Sequence, residues 1–357
     1  MKKILIIQNK RIGDVLLSSV IANNIKKVFP NSEVSFFAYD YTIGVLENNP
    51  NIDRIISINQ KELKRLPKLF ETALKIREQN YDIIFDPYAK FQSRIICLTS
   101  KAQYRVGFKK AHKKLKLPFY THPINFKKKA TLPCGRGIED RVNLVYQVFP
   151  LAEPDYVPKI YLSEIEKSEN KLQNISGRVI MFGVLGSTPN KSMPYEYIVE
   201  LIDFVTKNYK ATILFNYAPH QKEEALKIYN ACAHKEKINM EIYEYSIRGF
   251  AVLMSQCDML ISNEGGSVHI AKAVNKPTFT IYSPYIDKDA WNSFEDEVFH
   301  QSIHLLEEVP DLFKSFTPEE RRSIEKNPQE LYKELKPEMI LKKLKPYLAH
   351  HLSDVKV

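Results

Sequence analysis

The chain has 357 residues, with 52 Lys+Arg against 42 Asp+Glu for a formal net charge of +10, and 44% of its residues are hydrophobic. This is globular composition with room for two domains, and it excludes the disordered, collagenous and disulfide-stapled classes. No window approaches 18 uncharged apolar residues, so no transmembrane helix is expected, and the apolar run Ile4–Ile7 is too short for a secretory signal.

Apolar, β-branched runs bounded by turn residues predict strands over residues 3–7, 33–38, 54–58 and 82–85. Helical spacing of apolar residues predicts helices over 14–29 and 61–78, giving the βαβα order of a parallel sheet. Residues 149–163 carry three prolines and read as an extended connector. A second series follows, with strands over 178–184, 211–216, 240–243, 258–262 and 278–282 and helices over 195–207, 220–233, 247–255 and 265–274. Beyond residue 310, prolines at 318, 328, 337 and 346 divide a charged tail into short helices expected to pack back across both domains. The reading is an α/β chain with domains over 1–160 and 161–310 and a helical tail over 311–357.

Cys97, Cys134, Cys232 and Cys257 are widely spaced, form no CxxC motif and fit free thiols in a reducing cytoplasm. His350 and His351 are adjacent but lack metal-ligand spacing, so no metal site is expected.

Three loops follow strands at positions where open α/β sheets bind ligands. The first, Gln8-Asn9-Lys10-Arg11-Ile12-Gly13-Asp14, is neither a dinucleotide turn nor a Walker loop. It offers one carboxylate, Asp14, beside Lys10 and Arg11, and on the residues alone Asp14 is either an N-cap or a reactive group. The second, Leu185–Pro194, holds Gly186, Ser187, Thr188 and Lys191 ahead of a helix, a composition suited to phosphate and also to any surface turn. The third, Asn263-Glu264-Gly265-Gly266-Ser267-Val268-His269, is a glycine turn that can take a pyrophosphate, or a tight turn followed by a buried histidine.

Five collinear segments together resemble glycosyltransferase family 9, the ADP-heptose:lipopolysaccharide heptosyltransferases. They are KILIIQNKRIGDVLLSSVIANNIKKVFPNSEV, YDIIFDPYAKFQSRIICL with YRVGF, GSTPNKSMP, FNYAPHQKEEA and ISNEGGSVHIAKAVNKPTFTIYSP. The resemblance implies a GT-B fold, with two facing Rossmann-like domains, the acceptor on the first and the nucleotide-sugar on the second. It implies that Asp14 is the general base of an inverting transfer, with Lys10, Arg11 and Gly13 beside the acceptor. It implies that Lys191 faces the donor phosphates with Ser187 and Thr188 as hydroxyl donors, and that Gly266, Ser267 and His269 form the pyrophosphate turn. Glu223 is expected to hold the ribose hydroxyls, with Gln221 and Glu224 close enough to replace it. No metal is implied, since Lys191 and helix dipoles supply the positive charge. The sequence departs from the family at Glu264 and Gly265, where an Asp-Thr pair is usual.

Between Arg105 and Lys129 there are nine Lys/Arg and no acidic residue. Such a run is a solvated surface, a nucleic-acid patch or an acceptor-binding face. The resemblance favours the last. Lys109, Lys110, Lys113 and Lys114 would meet a phosphorylated glycolipid, Kdo-lipid A or inner-core heptose, at the cytoplasmic face of the inner membrane, where each Lys adds ~1 kcal/mol of attraction. The expected protein is a cytoplasmic, peripherally attached monomer that binds no nucleic acid. A sugar-nucleotide epimerase and a non-catalytic basic binding protein are the alternatives.

Overall fold

The computed structural model describes residues 1–109, 117–326 and 329–355. The chain forms two compact units, one of Met1–Ser163 with Asp289–Ser293, the other of Glu164–Lys288 with the chain from Phe294 onward.

The first unit contains β1 (Lys3–Ile7), α1 (Ile12–Val28), β2 (Glu33–Tyr39), β3 (Arg54–Ile58), α2 (Gln60–Leu63), α3 (Leu66–Glu78), β4 (Ile83–Asp86), α4 (Phe91–Thr99), β5 (Tyr104–Phe108), β6 (His122–Ile124) and α5 (Arg136–Tyr146). Its strands run parallel in the order β3-β2-β1-β4-β5-β6. β1 and β4 are buried almost end to end, as central strands of a parallel sheet must be, which is why their sequences are apolar without alternation. Leu5, Ile7, Phe37 and Ile84 of the sheet share a core with Leu69, Ala73 and Ile76 of α3.

The helix predicted over 61–78 is two helices. Pro67 has no N–H, and in a continuous helix its ring would strike the carbonyl of Leu63, so α2 ends there and α3 starts afresh with Pro67 in its first turn.

The second unit contains α6 (Glu164–Ser168), β7 (Arg178–Gly183), α7 (Tyr195–Asn208), β8 (Ala211–Asn216), α8 (Lys222–Ala231), β9 (Ile238–Asn239), α9 (Ile247–Gln256), β10 (Met259–Asn263), α10 (Gly266–Ala273), β11 (Thr278–Ile281), β12 (His300–Ile303), α11 (Leu305–Glu308), α12 (Pro318–Lys326), α13 (Gln329–Tyr332) and α14 (Pro337–His351). Its parallel sheet has the order β12-β11-β10-β7-β8-β9.

The strand predicted over 240–243 does not form. The Asn239 side chain accepts from the N–H groups of Glu241 and Ile242, both at 2.9 Å, and this Asx turn draws the chain out of the sheet after two residues. The tail residues fall within the second unit. α14 packs on α7, β11 and β12. Its stripe Ile340, Leu344, Tyr347 and Leu348, at helical spacing, joins the core of β7 and β8. At about 1.5–3 kcal/mol for each fully buried Leu or Ile, that stripe outweighs the polar composition of the segment.

All four cysteines are free and buried. Among the described residues no helix is long and apolar enough to cross a membrane.

His300 on β12 is buried, and its Nδ1 lies 3.0 Å from Thr278 Oγ1. Burial, with the charge of Lys272, pulls its pKa from 6.5 down to about 4. A depressed histidine favours the fold while neutral, so its contribution is complete above pH 6.5 and is lost as pH falls towards 4. Lowering the pH from 7 to 4.5 is therefore expected to reduce the thermal midpoint, and His300→Gln to flatten that dependence. An unchanged slope in the variant would assign the acid sensitivity to other groups.

Candidate active site

In the first sheet the strand order reverses between β1 and β4, and a crevice at their carboxyl ends is the expected ligand position. A cavity of about 340 Å³ lies there, lined by Gln8, Lys10 and Asp14 after β1, by Tyr88 and Lys90 after β4, and by Asp140 and Arg141 of α5. The segment Asp289–Ser293 borders it through Ala290 and Trp291. Asp289 accepts from the N–H of Ala130 at 2.9 Å, and Trp291 lines the wall with the Lys10 ammonium 6.0 Å from its ring centre.

Asp14 is not an N-cap. The N-cap of α1 is Arg11, whose extended backbone makes no side-chain cap, and Asp14 stands in the first turn, where the helix dipole favours a carboxylate. Asp14 is 7% exposed, and its Oδ1 accepts from Arg141 Nη2 at 3.0 Å and pairs with Lys10 Nζ at 3.4 Å. Both ion pairs converge on Oδ1, which leaves Oδ2 outside them.

Arg141 reaches Asp14 from 127 residues away and divides its fork between that carboxylate and two further acceptors. Nε donates to Ser18 Oγ at 2.8 Å and Nη1 to the Gly137 carbonyl at 2.5 Å. Burial pulls the guanidinium below its ordinary value, and the Asp14 charge opposes that shift. Asp140, on the same wall, accepts from the N–H of Lys127 at 2.8 Å, and burial raises its carboxyl above the usual range.

In the second sheet the reversal falls between β7 and β10. The loop after β7 is folded tightly on itself: the Gly186 N–H donates to Ser192 Oγ at 2.9 Å, and Gln221 Nε2 donates to the Gly186 carbonyl at 2.8 Å. A Cβ on Gly186 would stand 2.1 Å from the Lys191 carbonyl oxygen, a backbone clash that the loop can relieve only by opening.

Lys191 spans the switch point, its Nζ 2.7 Å from Glu264 Oε1, while Glu264 Oε2 accepts from the Ser283 N–H. Glu264 is 7% exposed. Gly265 follows with φ 154° and ψ −166°, a conformation open only to glycine without strain, and caps α10 with no side chain. Nothing lies within 4 Å of where its Cβ would be.

A cavity of about 560 Å³ takes in Ser187, Thr188, Gln221 and Glu224, together with Glu330 and Lys333 of the tail.

The family model for glycosyltransferase family 9 (heptosyltransferase) matches residues 70–308, about two thirds of the chain. The chain belongs to glycosyltransferase family 9. Lipopolysaccharide heptosyltransferase 1 of Campylobacter coli is 24% identical over 294 residues, covering 78% of this chain and 83% of that one. A family 9 glycosyltransferase structure from Veillonella parvula superposes with a TM-score of 0.77 at 16% identity, covering 97% of both chains. The Escherichia coli heptosyltransferase WaaC solved with ADP gives a TM-score of 0.63 at 17% identity over 85% of this chain and 93% of that one. The protein is thus a glycosyltransferase with the GT-B fold, one parallel sheet to each unit.

For a family 9 enzyme, the residues expected from the sequence are distributed unevenly. Asp14 and Lys10 line the first cavity; Gly13 is buried in the first turn of α1 and Arg11 is exposed at its cap. Lys109 is exposed at the end of β5, and Lys110, Lys113 and Lys114 lie outside the described residues. Its neighbour Phe108 stacks on Phe126 at 4.0 Å and lines the cavity, so the basic segment leaves from and returns to that wall.

Of the donor residues, Ser187 and Thr188 share the second cavity; Lys191, Glu223 and residues 264–269 are not among its lining. Glu224 lines it in place of Glu223, and Gln221 is occupied in bracing the loop. Gly266 and Ser267 are half-buried in the first turn of α10, with Ser267 Oγ 3.4 Å from Ser262 Oγ, and His269 is buried one turn on.

The sequence did not single out Arg141, Asp140 or Trp291. The available signal was the run Glu139-Asp140-Arg141, three adjacent charges on an otherwise amphipathic helix, all three of them buried.

Proposed function

We propose that this glycosyltransferase moves a heptose from ADP-L-glycero-D-manno-heptose to the Kdo/inner-core region of lipopolysaccharide or lipooligosaccharide, with inversion at the anomeric carbon. Family membership supports the reaction class. The observation that carries the mechanism is the Asp14 carboxylate, held by Arg141 through one oxygen in a cavity at the carboxyl end of the first sheet.

In the transfer an acceptor O–H gives its proton to Asp14 while its oxygen bonds to the anomeric carbon and the bond from that carbon to the diphosphate oxygen breaks. Negative charge grows on the departing ADP. Lys191 has three N–H donors, of which Glu264 takes one, leaving two for phosphate oxygens. The N-terminus of α10, its first N–H groups without helical partners, adds a second source of positive potential. These groups act where charge develops, the point at which stabilisation accelerates the reaction most, and no metal is assigned a step.

The acceptor reading draws on charge. Lys10, Lys90, Arg136 and Arg141 line the first cavity against Asp14 and Asp140, so the wall is net positive and suits carboxylate- or phosphate-bearing sugars. With the basic segment rooted beside it, the acceptor is a phosphorylated glycolipid, approached at the cytoplasmic face of the inner membrane.

Incubation with ADP-heptose in the presence of EDTA, with and without Kdo-lipid A, tests this reading by ADP release. Acceptor-dependent release is expected, and none in either case would contradict it.

The same reading makes Gly186 sensitive. Gly186→Ala pushes Lys191 off its place, and ADP affinity measured by calorimetry is expected to fall by on the order of ten-fold, since displacements near 1 Å at such contacts are costly. Unchanged affinity would show that the loop does not touch the donor.

A further inference from the structure

The reaction above has no use for the C-terminal tail, yet the tail runs to the donor loop. α13 packs against the turn Pro189–Lys191. Tyr197 of α7 holds it from the other side, its hydroxyl donating to the Lys333 carbonyl at 3.1 Å. Glu330 and Lys333 then border the cavity that contains Ser187, Thr188 and Glu224. Between them, Tyr332 is wholly buried in the core of the unit, and its hydroxyl lies 3.3 Å from the Lys191 carbonyl oxygen.

A buried hydroxyl costs free energy unless it finds a partner, so an aromatic ring serving only to fill this core would be better as phenylalanine. The hydroxyl instead reaches the backbone of the residue whose ammonium pairs with Glu264, and it also meets the Ser283 side chain.

We infer that Tyr332 is a positioning residue for the donor site, bracing Lys191 from the tail side while Glu264 fixes its ammonium. The inference rests on the proposed role of Lys191 towards the donor phosphates. Three segments distant in sequence meet at that lysine: the loop after β7, the β10–α10 turn through Glu264, and the tail through Tyr332. Burial, and next the Glu264 charge, hold the Tyr332 hydroxyl protonated far above its ordinary range, so it remains a donor at every working pH. The tail therefore sets how firmly Lys191 is presented, and the ligand it serves is a nucleoside diphosphate.

Tyr332→Phe tests the brace because it keeps the buried ring and removes only the hydroxyl. ADP affinity by calorimetry, and the KM for ADP-heptose, are expected to weaken by roughly three- to ten-fold, the range for one lost hydrogen bond. The kcat is expected to fall by no more than a similar factor, since Lys191 acts on the charge developing on ADP, while the acceptor KM stays at its wild-type value and the thermal midpoint drops by about 2–4 degrees. Wild-type ADP affinity in the variant, with or without a lower thermal midpoint, would overturn the inference and leave Tyr332 as packing. A shift confined to the acceptor KM would overturn it equally. Wild-type protein that binds ADP but transfers no heptose counts against the proposed reaction alone, since the calorimetric comparison needs no acceptor.

Discussion

Asp14→Asn is expected to lower kcat by roughly 10²–10⁴-fold, the usual contribution of a general base, while ADP affinity remains that of the wild type. The substitution is close to isosteric and leaves an amide oxygen for Arg141 and Lys10, so the first unit keeps its packing. What it removes is a carboxylate able to take a proton. The choice of base has a physical rival on the same wall. Asp140 lies in the same cavity with its carboxyl raised by burial, and a carboxylate with a higher pKa is intrinsically the better proton acceptor. Asp14 is preferred because one oxygen is anchored and the other lies outside both ion pairs, which fixes the group in a reactive orientation. Asp140→Asn is therefore expected to retain most of the activity. The reverse pattern, a silent Asp14→Asn and a dead Asp140→Asn, would move the base to Asp140.

The second large effect is expected at Arg141. Arg141→Met removes a buried cation and leaves Asp14, itself 7% exposed, paired among the described residues with the half-exposed Lys10 ammonium at 3.4 Å. Breaking a buried pair from one side typically costs about 3 kcal/mol or more, because the remaining charge stays desolvated. A fall of several degrees in the thermal midpoint is expected, together with lost transfer. Arg141→Lys is expected to rescue little. The guanidinium sends three donors in fixed directions, to Asp14, Ser18 and Gly137, and a single ammonium cannot reach all three. Wild-type stability in Arg141→Met would show that Asp14 is held by other means.

The central strands of both sheets were legible because parallel strands buried on both faces are written as uninterrupted apolar runs, as in Lys3–Ile7 and Ala211–Asn216. Edge strands were not. β6 is His-Pro-Ile and β12 is His-Gln-Ser-Ile, and neither carries enough apolar residues to stand out. The misplaced strand after residue 239 and the broken helix at Pro67 were both decided locally, by an asparagine side chain and a proline ring that periodicity does not weigh.

The site shows the same division. Loops that follow strands could be placed from the sequence, so Asp14, Lys191 and Glu264 were singled out there. The partners that hold them came from elsewhere in the chain. Arg141 and Tyr332 lie 127 and 141 residues from the groups they touch, and no spacing rule connects such pairs. The same contact shows what the unusual Glu264 does in this chain: its carboxylate is buried against Lys191 and the Ser283 N–H, and the glycine after it takes a backbone conformation that a threonine could adopt only with strain.

The central claim is the transfer itself, and the acceptor product tests it most directly. Kdo-lipid A recovered after incubation with ADP-heptose is expected to carry one added heptose, by mass, with the anomeric configuration opposite to that of the donor by NMR, and to be unmodified when Asp14→Asn replaces the wild type. An acceptor that wild-type protein leaves unchanged in mass, or a product that retains the donor configuration, would contradict the account.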